Sequence, residues 1–389
     1  MVCLPLSFSM SAPVPCPVPA RRAPDVHSAV LPVRPLIVFF LVFLQFFLVT
    51  GPVSAQDRIA AFARQLQALE YAHGARIALA AHEVHSGRTL FFRASERMTF
   101  CSTFKFFLVA EILHRADVLA QAPQTGPRIQ TPVQGKAQAQ EQDESGIPQT
   151  SGAESLLDRT LTWTADEEVA WSPVTKGQGS TGMSVAELCR AAITLSDNTA
   201  TNVLLRLAGG PKSLTRAVHL MGNQSFELAD FEPALNREQP ESTANTGTAG
   251  GFLAGMRRVL LGDFLSPQSR DLLLSWMQAT ATGRDRIAAA LPAGWKLAHK
   301  TGTNGGLVHD MGLLTDPKGH EILLVLFSKA RPFEADQKGT GSGALLAAAT
   351  RLLLQEWGSL ARDEGDNAVQ ASSQTSSLAG SQASRSDGH

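Results

Sequence analysis

The chain has 389 residues, with 34 Lys and Arg against 35 Asp and Glu, for a formal net charge of -1. That length accommodates one large domain or two smaller ones sharing a core. The balanced charge, the lack of any Lys/Arg block and the single Tyr exclude a nucleic-acid or acidic-membrane partner recognised by charge.

Arg34 precedes the apolar stretch Leu36 to Val49, which is followed by Thr50-Gly-Pro-Val-Ser-Ala55. Such a stretch is short for a membrane span and suits the core of a secretory signal. Val53-Ser54-Ala55 supplies the small residues a signal peptidase needs, so residues 1–55 are expected to be a leader cleaved before Gln56. The mature protein is then periplasmic or secreted, a retained anchor helix being the alternative. The Pro-rich region before Arg34, with Cys3 and Cys16, is long for a leader and points to an over-extended start.

The spacing of Ile59, Phe62, Leu66 and Leu69 predicts a helix over Asp57 to Tyr71, stopped by Gly74. Ile77 to Val84 and Thr89 to Phe92 read as strands around the turn His85-Ser86-Gly87. The apolar segment Phe104 to Leu119 reads as a buried helix. An all-helical middle follows: Ser184 to Leu195, Thr199 to Leu207, Leu214 to Met221, Gly250 to Leu261 and Ser266 to Ala279. Strands return at Trp295 to Gly302, Leu307 to Leu314 and Glu321 to Ser328, and a helix from about Gly343 to Trp357 comes last. Gln121 to about Ser155 and Arg362 to His389 are rich in Gln, Ser, Gly and Ala and read as an unfolded insertion and tail.

Strands at both ends and helices between them predict one antiparallel sheet built from both chain ends and flanked by helices. The helical block is expected as an inserted lobe, residues 99–279, with 56–98 and 280–361 forming the α/β lobe. A cleft between lobes is the default place for a site.

Cys101-Ser102-Thr103-Phe104-Lys105 opens the buried helix. On a helix, positions i and i+3 share a face, which predicts the Lys105 amine beside the Ser102 hydroxyl. An amine in apolar surroundings has a lowered pKa and accepts a hydroxyl proton, while the helix N-terminus favours an oxyanion. Cys101 and Cys189 are expected to be free and largely buried. His82-x-x-His85 lacks further ligands nearby, so no metal site is expected.

Three more motifs follow in order: Ser196-Asp197-Asn198, Glu232-Pro233-Ala234-Leu235-Asn236 and Lys300-Thr301-Gly302-Thr303. With Ser102-x-x-Lys105 they make the chain, from about Gln56 to Trp357, resemble the class A serine β-lactamases. The resemblance implies the serine β-lactamase and penicillin-binding-protein fold, a β-lactam substrate, no cofactor and a monomer. It implies that Ser102 attacks the lactam carbonyl, with the N–H groups of Ser102 and Thr303 as oxyanion donors. Ser196 would relay a proton to the leaving nitrogen, and Lys300 would hold that hydroxyl and the substrate carboxylate. Asn198 would bind the substrate's side-chain amide.

Glu232 with Asn236 matches the family's hydrolytic pair on its omega-shaped loop. A carboxylate and an amide that hold a water release the acyl-enzyme, which penicillin-binding or sensor-type receptors lack and so stay acylated. A secreted binding module without the chemistry is the third alternative. Whether Lys105 or Glu232 is the acylation base stays open here. Trp171 matches an aromatic that lines the family's cleft. Arg286 stands where some members anchor the carboxylate, aided by Thr301, Thr282 and Thr303. Two departures stand out. Asn304-Gly305-Gly306 replaces the cysteine that in some members bonds the Cys101 position, and Val109 stands where the partner of Cys189 would be.

Overall fold

A computed structural model of the chain describes residues 55–122, 155–239, 241–331 and 343–358. The leader, nearly all of the insertion and the tail expected from the sequence lie outside the described residues.

In chain order the elements are α1 (Ala55–Ala72), β1 (Ala75–Glu83), β2 (Thr89–Phe92), β3 (Arg97–Thr99) and α2 (Lys105–Gln121). Next come β4 (Thr160–Leu161), β5 (Met183–Ser184), α3 (Val185–Thr194), α4 (Asn198–Leu207) and α5 (Pro211–Leu220). Then follow β6 (Thr246–Thr248), α6 (Ala249–Leu260), α7 (Pro267–Gln278), β7 (Lys296–Asn304), β8 (Leu307–Thr315), β9 (Glu321–Ala330) and α8 (343–358).

β1 and β2 pair with β7 to β9 in one five-stranded antiparallel sheet ordered β2-β1-β9-β8-β7, so the early and late strands meet as expected. Successive side chains of a strand point to opposite faces. Ile77, Leu79 and Ala81 therefore join Phe62, Leu66, Leu353 and Trp357 on one face, while Ala78 and Ala80 join Phe107 and Phe252 on the other. Both faces are covered, which is why β1 and β9 read as apolar runs rather than as alternation.

α2 is buried from Lys105 to Leu113, a stretch apolar but for Lys105 and Glu111, as expected of a helix at the centre of a core. The middle is not all helical: β3 pairs with β6, and β4 with β5. These ribbons are two or three residues long, too short to leave a period in the sequence.

Candidate active site

The turn carrying Ser102 begins with a backbone reversal. Cys101 takes φ 49, a left-handed conformation uncommon for a residue with a side chain, and a 3-10 turn over Cys101–Phe104 leads into α2. Such strain persists where the surroundings over-determine it. Here Phe100 stacks on Phe226 at 4.8 Å between centroids, its N–H donates to Asn245 O at 3.2 Å, and Thr103 Oγ1 donates to Phe100 O at 2.6 Å.

β7 runs past the same turn. A Cβ on Gly302 would lie 3.0 Å from Phe100 O, 3.1 Å from Cys101 Cβ and 3.2 Å from Thr103 Cγ2, so the close approach requires glycine. Gly302→Val is expected to cost about 1–3 kcal/mol of stability by overpacking, read as a lower thermal midpoint. An unchanged midpoint would show that the strand moves aside freely.

Lys105 is fully buried. Its Nζ donates to Ser196 O at 2.8 Å and Asn198 Oδ1 at 2.6 Å, and pairs with Glu232 Oε1 at 3.1 Å. Burial pulls its pKa below the usual lysine range while the charge of Glu232 pushes it back. As the i, i+3 spacing predicts, Ser102 and Lys105 meet at one point, the carboxylate oxygen Glu232 Oε1. The Ser102 hydroxyl donates to Glu232 Oε1 at 3.4 Å.

Ser196 is also left-handed, with φ 59. Asp197 holds the bend by accepting from Ala200 N, Val174 N, Thr175 N and Thr175 Oγ1 at 2.7–3.0 Å, which caps α4. Ser196 Oγ lies between two buried amines, 3.3 Å from Lys105 Nζ and 3.1 Å from Lys300 Nζ. Burial, then the positive charges of Lys105 and Arg286, hold the Lys300 pKa well below its ordinary value. Asn198 bridges Lys105 to the Trp171 loop through Oδ1 and an Nδ2 bond to Ala170 O at 2.9 Å.

Glu232 is buried at 3% exposure on the loop between Leu228 and Asn245. The neck of that loop is closed by Asn245, which accepts from Ala229 N and Asp230 N and donates to Asp230 Oδ2. Oε2 of Glu232 accepts from Asn236 Nδ2 at 2.6 Å. Oδ1 of Asn236 is buried and has no hydrogen-bond partner. Asn202, which the sequence reading missed, clamps the Glu232 backbone from both sides: Asn202 Nδ2 donates to Glu232 O, and Glu232 N donates to Asn202 Oδ1, each at 2.9 Å. The signal was available, since Asn198 and Asn202 are i and i+4 on one helix and share a face.

Arg286 does not point freely at the cleft. Its guanidinium donates to Gly302 O, His309 O and Thr303 Oγ1 at 2.7–3.0 Å, so it props the strand that presents exposed Thr303. Thr301 Oγ1 lies 2.6 Å from Thr282 Oγ1. Trp171 is 65% exposed with its indole N–H on Leu195 O at 3.0 Å, beside the Ser196 bend.

His309 is fully buried behind the site. Ser328 N–H donates to its Nδ1, so Nε2 carries the proton and donates to Thr99 O at 2.8 Å. Burial lowers its pKa from 6.5 to about 4. The neutral form is the folded one, so its contribution is complete above pH 6.5 and is lost as pH falls toward 4, about 3 kcal/mol in all. Urea midpoints at pH 7.5 and 4.5 should show this loss, and His309→Gln should flatten it; equal slopes would contradict the assignment.

Cys101 and Cys189 are free and buried, and burial raises both thiol pKa values. Among the described residues no group of His, Cys, Asp and Glu could hold a metal.

Residues 149–357 match the model of the Beta-lactamase enzyme family. β-Lactamase AST-1 of Nocardia asteroides is 33% identical over 312 residues, 80% of this chain and 88% of that protein. Carbapenem-hydrolyzing β-lactamase KPC of Klebsiella oxytoca is 32% identical over 292 residues, 75% of this chain and 87% of its own. Among solved structures, the class A β-lactamase of the last common ancestor of Gram-negative bacteria (GNCA4) aligns with TM-score 0.64 at 34% identity. That alignment covers 76% of this chain and 99% of the other. The β-lactamase from Desulfarculus baarsii gives TM-score 0.65 at 32% identity, covering 77% and 98%. With its sheet and these relatives, the chain belongs to the class A serine β-lactamases.

Proposed function

We infer that this β-lactamase is exported, as a monomer, through the apolar leader before Gln56. It opens penicillins and/or cephalosporins through a Ser102 acyl-enzyme that a Glu232-activated water releases. One observation carries the reading: the Ser102 hydroxyl donates a hydrogen bond to Glu232 Oε1 while Oε2 accepts from Asn236 Nδ2. In the first step Ser102 Oγ bonds to the lactam carbonyl carbon and its proton passes to Glu232. Lys105 Nζ lies 3.1 Å from the same carboxylate oxygen. The N–H of Ser102 belongs to a first helical turn, where N–H groups lack intrahelical acceptors, and with Thr303 N–H it stabilises the oxyanion, each donor being worth about 3 kcal/mol. As the ring C–N bond breaks, Ser196 passes a proton to the nitrogen, Lys105 resupplies Ser196, and the proton that Glu232 took from Ser102 moves on to Lys105, so Glu232 is again a carboxylate once the acyl-enzyme has formed. Lys300, Thr301 and Thr303 bind the substrate carboxylate, with Arg286 setting the position of Thr303. Trp171 lines the cleft, and Asn198 binds the substrate's side-chain amide.

In the second step a water seated between Glu232 Oε2 and the unpartnered Asn236 Oδ1 gives its proton to Glu232. Its oxygen attacks the ester carbon, and Ser102 leaves with the proton returned. The test is the purified chain beginning at Gln56 with a chromogenic cephalosporin and with benzylpenicillin. Many turnovers per molecule and no lasting adduct are expected; one equivalent consumed and retained would make the protein a receptor.

A further inference from the structure

The Glu232 loop is held at its neck by Asn245 and from inside by Asn202, but Asn236 lies further along, on a single 3-10 turn over Ala234–Asn236. Two bonds reach this outer part from the sheet. Asn304 Nδ2 donates to Asn236 O at 2.7 Å, and Lys329 Nζ pairs with Glu238 Oε1 at 2.7 Å. The two donors share an origin. In the strand register Asn304 faces Leu307, and Leu307 faces Lys329, so both stand in one row across the end of β7, β8 and β9. They meet loop residues two apart.

We propose that Asn304 and Lys329 form a two-point latch that fixes Asn236, and through its side-chain amide Glu232 Oε2, in the position needed for acyl-enzyme hydrolysis. They are positioning residues and touch neither substrate nor reacting atoms. The geometry makes the effect selective. Oε1, which accepts the Ser102 proton, is held by Lys105 and not by the loop's outer turn. The latch acts on Oε2 and Asn236 Oδ1, the two acceptors assigned to the deacylating water, so loosening it slows the second step and leaves the first nearly unchanged. A surface ion pair is weak by itself, which makes Asn304, whose bond lands directly on Asn236, the stronger of the two points.

This inference rests on the hydrolytic role of Glu232. Its test is pre-steady-state kinetics with benzylpenicillin, read by intact mass, on Asn304→Asp, Lys329→Glu and the swap Lys329→Glu with Glu238→Lys. Asn304→Asp keeps the shape and removes the donor. It is expected to slow deacylation about 10-fold or more, since misplacement of about 1 Å costs up to 100-fold, with acylation changed by less than about threefold. Lys329→Glu should slow deacylation by a smaller factor, and the charge swap should restore it. Thermal midpoints within a few degrees of wild type exclude simple unfolding. Unchanged deacylation in Asn304→Asp, or equal losses in both steps, overturns the latch. Glu232→Gln serves as the control: if it fails to accumulate acyl-enzyme, the underlying reading fails, whereas accumulation there without any effect of Asn304→Asp sinks the latch alone.

Discussion

A Ser102→Ala variant is expected to form no penicillin adduct and to lose at least about 10,000-fold in turnover, the scale of removing a hydrolase nucleophile. Nothing nearby can replace the hydroxyl. Cys101 precedes it in sequence, yet its thiol is fully buried, turned toward Thr99 O and raised in pKa, whereas a reactive cysteine needs an accessible thiolate. A thiol-alkylating reagent should therefore leave wild-type turnover intact. Folding should be almost unaffected, because the hydroxyl makes one long bond, 3.4 Å to Glu232. A variant that folds, still turns over substrate and loses that activity to the thiol reagent would shift the chemistry to Cys101.

Glu232→Gln is expected to separate the two steps. A glutamine accepts no proton from water, so deacylation should fall by about 1,000-fold or more, the upper part of what a positioned base contributes. Acylation should fall less. The Glu232 charge raises the pKa of Lys105, so removing it leaves burial dominant and shifts the amine toward its neutral form. That neutral amine can then take the Ser102 proton. Acylation by the variant should consequently rise with pH as Lys105 deprotonates, measured by stopped-flow absorbance. If acylation in the variant is flat with pH, Lys105 does not take over the proton.

Much of the fold was legible because long segments are buried. The periods of α1, α3 to α7 and the apolar runs of β1, β8 and β9 are set by burial, and burial leaves a pattern in sequence. The β3–β6 and β4–β5 ribbons left none, since two or three residues cannot display a period. At the site, Ser102, Ser196, Glu232 and Lys300 were legible as motifs because chemistry fixes their types. Their partners were less so. The spacing of Ser102 and Lys105 is right for one face, but where a flexible lysine ends is decided by acceptors far along the chain, at Ser196, Asn198 and Glu232. Arg286 likewise has the position of a substrate-binding arginine, but its bonds to Gly302, Thr303 and His309 are not readable from that position. Asn304, a turn residue after β7 by sequence, acquires its place only through the row it shares with Leu307 and Lys329.

The most direct measurement of the central claim is the intact mass of wild type and Glu232→Gln, each mixed with excess benzylpenicillin and quenched over a time course. The wild type should return to its unmodified mass while substrate is consumed, and Glu232→Gln should hold one penicilloyl adduct per chain. A lasting adduct on the wild type, or none on Glu232→Gln although the wild type turns over, would contradict hydrolysis through a Ser102 ester released by Glu232.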